Sequence, residues 1–131
     1  MASFRFFLWF VIAGISGLPT SASASPTYAA DVQTIQGDCQ QPTSSPEWTY
    51  CLGLLEGVSS ILSANGYLLS SGLLASGDLE KVAMCPSSNI LGEELLKVFV
   101  GWATAHPEAA RDPDAIGVSQ AFAERWPCTH G

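Results

Sequence analysis

Four cysteines, two histidines and twelve carboxylates are the side chains of this 131-residue chain that could carry covalent, acid–base or metal chemistry. A cysteine nucleophile needs a base beside it, and His106 could in principle serve Cys51 or Cys85. An even cysteine count in an exported chain favours pairing, and a paired sulfur is no nucleophile. Zinc sites use spacings such as C-x2-C or H-x3-H, and neither occurs; His130 stands in the tail. Glu93-Glu94 reads as negative charge at a helix start, not as a general acid and base. His106 precedes Pro107 at a predicted helix end, where its ring can bond to free carbonyls. No catalytic residue, cofactor or metal is therefore expected. The reactive side chains point to two disulfides among Cys39, Cys51, Cys85 and Cys128.

Export is read from the N-terminus. Arg5 precedes the apolar run Phe6 to Ile15, and Ala22-Ser23-Ala24 follows as a small-residue cleavage site. Residues 1–24 are expected to be a secretory signal peptide. The run spans roughly 10–13 residues against the ~20 a membrane helix needs. Residues 25–38 form a lead-in and residues 39–131 the helical domain. With Arg5 removed, four cations (Lys81, Lys97, Arg111, Arg125) face twelve carboxylates, a net charge of −8. That balance disfavours nucleic acid and anionic lipid, and suits a basic protein partner. No membrane contact is expected after cleavage.

The elements that position these residues read as helices. Asp31 to Gln36 could form a short one with Val32 and Ile35 inward. Ser45 is a plausible N-cap, with Pro46 first in the helix and Glu47 facing its positive end. The main helix is expected from Pro46 to about Ser63, stopped by Asn65-Gly66. Trp48, Leu52, Leu55 and Leu62 form its buried stripe, widened by Cys51, Leu54, Val58 and Ile61. Gly53 and Gly57, four apart, suggest a close crossing with a second helix. The Gly/Ser-rich stretch from Gly66 to Glu80 is open in conformation. Asn89 is the expected N-cap of a helix with Leu91, Leu95, Val98 and Trp102 inward. It should end near Ala105. Asp112-Pro113-Asp114 starts the last helix, with Ile116, Ser119, Phe122 and Trp126 on one face. No strand-like alternation appears. The expected fold is all-α, a small disulfide-stapled bundle of three main helices plus one or two short ones. This up-and-down order would bring the cysteines to one end, favouring the nested pairs Cys51–Cys85 and Cys39–Cys128.

The order Cys51-Leu52-Gly53, Glu56-Gly57, Cys85-Pro86, His106-Pro107-Glu108 and Trp126-Pro127-Cys128 resembles the Rap/Tai family of small exported helical proteins. The resemblance spans Cys39 to Cys128. The chain departs from the family's usual pattern in having Leu54 for an aromatic and no residue between Cys85 and Pro86. The resemblance implies an immunity protein of a type VI secretion system. Its partner would be a peptidoglycan amidase toxin, neutralised in the periplasm by steric plugging of the active-site cleft. It also implies a possible homodimer.

Tyr67, Leu68 and Leu69 are the candidate partner-binding residues, with Asp78 and Glu80 steering a basic toxin. The competing structural reading folds that stretch back over the domain's own core. The alternative function is a periplasmic structural or stress protein, chaperone-like, with no dedicated toxin.

Overall fold

Local chemistry starts the longest helix where the sequence places it. The Ser45 hydroxyl accepts from the Trp48 amide at 3.1 Å, Pro46 opens the first turn, and Glu47 stands at its positive end. The computed structural model describes residues 30–73 and 77–128. The expected signal peptide 1–24 and His130 lie outside the described residues. Four α-helices form within them: α1 Val32–Cys39, α2 Pro46–Ser70, α3 Gly92–Ala105 and α4 Asp114–Arg125. Two 3-10 helices, Asp78–Val82 and Pro107–Ala109, lie in the connections. The architecture is all-α with two disulfides, and no named strand occurs among the described residues.

α2 does not stop at Asn65-Gly66. It runs seven residues past Ser63, and the reason is tertiary. Gly66 is buried where the chain returns across α2. A β-carbon there would collide with the Met84 carbonyl oxygen and stand 2.9 Å from Cys85 Sγ. Asn65 donates its side-chain amide to the Val82 carbonyl at 2.7 Å. The two residues that look like a helix stop instead dock the returning segment. The helix ends one turn later. Gly72 takes φ +70°, its amide bonds to Leu69 O at 3.1 Å, and the Leu73 amide bonds to Leu68 O at 3.1 Å. This is the Schellman pattern, which needs a residue tolerant of positive φ.

The close helix crossing expected at Gly53 and Gly57 is absent. Both are exposed with open space where a side chain would stand. The close approaches lie elsewhere. A β-carbon on Gly92 of α3 would stand 2.9 Å from Leu52 Cδ1 of α2, and Gly117 of α4 lies against the Val32 side chain of α1. These contacts set the faces of the later helices. α3 begins at Gly92, with Leu91 at the cap and no side-chain cap bond, so the expected Asn89 cap is corrected. Leu91, expected inward, is 73% exposed; Leu95, Phe99 and Ala103 are buried. Pro113, not Asp112, occupies the cap of α4. Asp112 instead offers its carbonyl to the Val32 amide at 3.0 Å. α4 buries Gly117, Val118, Ala121 and Phe122, and leaves Ile116 exposed. On α2, Cys51, Leu55 and Leu62 are buried as expected, while Ile61 is 64% exposed.

α1 is part of the core: Val32 and Ile35 are fully buried with Phe99, Phe122 and Leu55. Backbone bonds anchor it beside the α3–α4 connection, including Gln33 N to Ala110 O and Asp114 N to Ala30 O, both 3.0 Å.

The disulfides are Cys39–Cys51 and Cys85–Cys128, in place of the nested pairs Cys51–Cys85 and Cys39–Cys128. The longer α2 explains the correction. Cys85 packs at Gly66, which stands about 22 Å along the helix from Cys51. The short loop after α1 instead folds Cys39 onto Cys51, with Cα atoms 5.3 Å apart. Cys85 meets the end of α4, its amide donating to Trp126 O at 2.9 Å.

Candidate functional site

The four cysteines and His106 each have a structural role. All four cysteines are bridged, so neither Cys51 nor Cys85 offers a thiol to His106. The His106 ring stacks on Trp102 at 4.5 Å, with Nδ1 2.8 Å from the Trp102 carbonyl oxygen. A carbonyl only accepts, so Nδ1 carries the proton and donates. His106 thus caps the end of α3, as its position suggests. Glu93 and Glu94 lie in the first turn of α3. Among the described residues, no group of three or more histidine, cysteine, aspartate or glutamate side chains is placed to hold a metal.

The end of α2 carries exposed apolar side chains. Tyr67 is 67% exposed. Leu68 is half-buried, and Leu69 is buried at 6% exposure. The expectation that Leu69 faces a partner is corrected: because the helix continues, Leu69 turns to the core side. Leu73, inside the same Gly/Ser-rich stretch but not among the candidate binding residues, and Val82 are exposed. The signal for Leu73 was its position beyond a glycine that must end the helix. Asp78 and Glu80 lie on the first 3-10 helix, which packs against α2. Both are exposed, and Asp78 pairs with Lys81 at 2.9 Å. Tyr67 and Leu73 thus lie at the end of α2, and Asp78 and Glu80 on the 3-10 helix that packs against it.

The outward face of α2 continues this surface. From Tyr50 to Ser71 its only charged residue is Glu56, and Gly53, Gly57 and Ala64 leave it flat. A helix on an acidic surface normally presents charge outward. Two grooves flank α3. One, of about 800 Å³, is floored by Val98, Trp102 and Ala121; Trp102 donates its indole N–H to Glu124 at 3.0 Å beside it. The other, of about 600 Å³, is lined by Trp48, Leu96 and Val100.

Two carboxylates have shifted titrations. Asp31 caps α1, accepting from the Thr34 hydroxyl at 2.7 Å and amide at 2.9 Å, and from Arg111 at 2.9 Å. These bonds, with Thr34 the larger contributor, hold its pKa at about 2. The Asp31–Arg111 pair was not anticipated, although Thr34 three residues after Asp31 is a capping spacing. Burial, then the nearby Glu47, pushes Asp38 upward.

No curated protein and no solved structure matches the chain. The model for the family described as Rap1a immunity proteins matches residues 31–128, which span α1 to the Cys128 bridge. With both disulfides and all four α-helices inside the matched span, the chain belongs to the Rap1a immunity protein family.

Proposed function

We propose that this protein neutralises a peptidoglycan-degrading amidase toxin of a type VI secretion system, acting in the periplasm by plugging the toxin's cleft. The observation that carries the reading is the family match over residues 31–128. Membership in an immunity family implies a toxin protein as partner and inhibition by binding. The signal-peptide pattern in the sequence and the two disulfides are consistent with export. The end of α2 supports a contact surface: Tyr67 and Leu73 supply apolar anchors, and Asp78 and Glu80 add negative charge on a chain of net −8 once Arg5 is removed.

The test begins with a pull-down of the oxidised, signal-free protein from envelope and secreted fractions, read by mass spectrometry. A one-to-one complex with a peptidoglycan amidase is expected. Titrating that amidase with the protein should then abolish cell-wall cleavage at equimolar ratio. The double variant Tyr67→Ala/Leu73→Ala should weaken inhibition about 100-fold, the scale of two interface anchors. Undiminished inhibition by the variant moves the interface away from the end of α2. A stoichiometric partner of another class overturns the amidase assignment.

A second reading concerns assembly. The outward face of α2, whose one charge between Tyr50 and Ser71 is Glu56, favours self-association, because a signal-free chain of net −8 approaches its own copy most easily where it carries least charge. A crossing centred on Gly57 would set Ile61 of one copy against Gly53 of the other. Light scattering on the purified protein tests this, with Gly57→Leu expected to give monomer only.

A further inference from the structure

We propose that the Cys85–Cys128 bridge is a thiol–disulfide exchange site, opened by a protein dithiol while Cys39–Cys51 stays closed. The two bridges differ sharply in setting. Cys39 and Cys51 are 4% and 0% exposed, inside the core cluster with Leu55 and Phe99. Cys85 is exposed, and Cys128 is half-buried beyond the end of α4. Exchange requires an attacking thiolate to reach a sulfur, so exposed bridges are the labile ones. A groove of about 480 Å³ is lined by Met84 and Pro86, the chain neighbours of Cys85, together with Ser59, Ser63, Ser87 and Asn89 among others, with no charged side chain. No carboxylate in that lining repels an incoming thiolate.

The exchange balances as follows. A thiolate of the dithiol attacks one sulfur of the bridge. A mixed disulfide forms as the Cys85–Cys128 bond breaks, and the departing sulfur leaves as a thiolate and takes a proton. The second thiol of the dithiol loses its proton and attacks the mixed disulfide, releasing the other cysteine. The dithiol is oxidised to a disulfide, and its two electrons and two protons reside on Cys85 and Cys128.

Opening need not unfold the chain. Met84 N still bonds to Leu62 O at 3.0 Å and Cys85 N to Trp126 O at 2.9 Å. Cys85 Sγ keeps its seat against Gly66. These contacts hold the two cysteines close enough to close again. What the opened bridge releases is the covalent tie between the end of α4 and the segment that returns across α2.

The experiment needs no toxin, so its outcome is separate from that of the immunity reading. The oxidised, signal-free protein is equilibrated with graded dithiothreitol, quenched with an alkylating agent and mapped by peptide mass spectrometry. Cys85 and Cys128 are expected to label at a reductant concentration about tenfold or more below that needed for Cys39 and Cys51. Far-UV circular dichroism should hold constant across that interval. A thioredoxin-fold dithiol protein with its resolving cysteine changed to serine should trap a mixed disulfide on Cys85 or Cys128. Simultaneous labelling of all four, earlier labelling of Cys39 and Cys51, loss of helicity on opening, or no trapped adduct would each overturn the proposal.

Discussion

Gly117 and Gly57 show at single-residue scale how the same amino acid can serve opposite ends. Gly117 is fully enclosed, and a β-carbon would drive into the Val32 side chain. Gly117→Ala is expected to destabilise the fold by about 1–3 kcal/mol, since the packed α1–α4 contact must shift. Gly57 meets nothing, so Gly57→Ala should stabilise by up to about 1 kcal/mol through helix propensity. Urea unfolding of the two variants reads both signs; a stabilised Gly117→Ala would mean that α1 is not seated as described. Asp31 and Asp38 make a second opposed pair. Asp31 titrates at about 2 in the fold and near 3.8 when free. Between those values the folded form binds fewer protons, so its contribution is complete above about 4 and is lost as pH falls toward 2. Asp38 is raised by burial and by Glu47, so the folded form there binds more protons just above the ordinary value. Its contribution falls as pH rises through that range. Unfolding midpoints measured from acid to neutral pH should therefore lose acid-side slope in Asp31→Asn. Asp38→Asn should be more stable than the parent at neutral pH. A parallel change in both variants would contradict the assigned environments.

At the scale of elements, α2 decides both the geometry of the bridges and the exposed surface. Replacing Gly57 by Leu fills the notch on its outward face without touching the core. If the protein self-associates through that face, the variant should be monomeric by light scattering with unchanged or higher thermal stability. A dimer that survives the change places self-association on another element. The start of α2 was legible in the sequence because Ser45, Pro46 and Glu47 act locally. The stop was not, because Asn65 and Gly66 answer to Val82 and Met84, which are distant in sequence. That one displaced boundary carried two further errors. It moved Cys85 away from Cys51, and it turned Leu69 to the core. Similarly, the helical character of α3 and α4 was legible from periodicity. Their inward faces shifted because Gly92 and Gly117 sit against Leu52 and Val32, contacts that no local pattern reports. Of the candidate residues, Tyr67, Asp78 and Glu80 are exposed. Leu73 and Val82 came into view only with the helix end in place.

For the whole molecule, the bridges divide the work of closure. Cys39–Cys51 spans a separation of 12 residues and locks α1 to the start of α2. Cys85–Cys128 spans 43 and joins the returning segment to the end of α4. Loop-closure entropy assigns the outer bridge about 4 kcal/mol and the inner about 3. A domain of this size has roughly 5–15 kcal/mol in all. The outer bridge is thus both the more accessible and, by loop length, the more stabilising in the unfolded-chain balance. Cys85→Ala/Cys128→Ala should lower Tm by roughly 16–32 °C, taking about 4–8 °C per kcal/mol for a domain of this size. Its helical signal at room temperature should persist, because Phe99, Phe122, Ile35 and Leu55 remain packed around the inner bridge. Thermal unfolding followed by circular dichroism measures the shift directly. A drop of only a few degrees would mean that the unfolded chain is already held compact by its own residual contacts, and that the bridge adds little restraint. A drop on the expected scale makes the stability of the fold dependent on an oxidising compartment, because the longer of its two covalent loops closes only there.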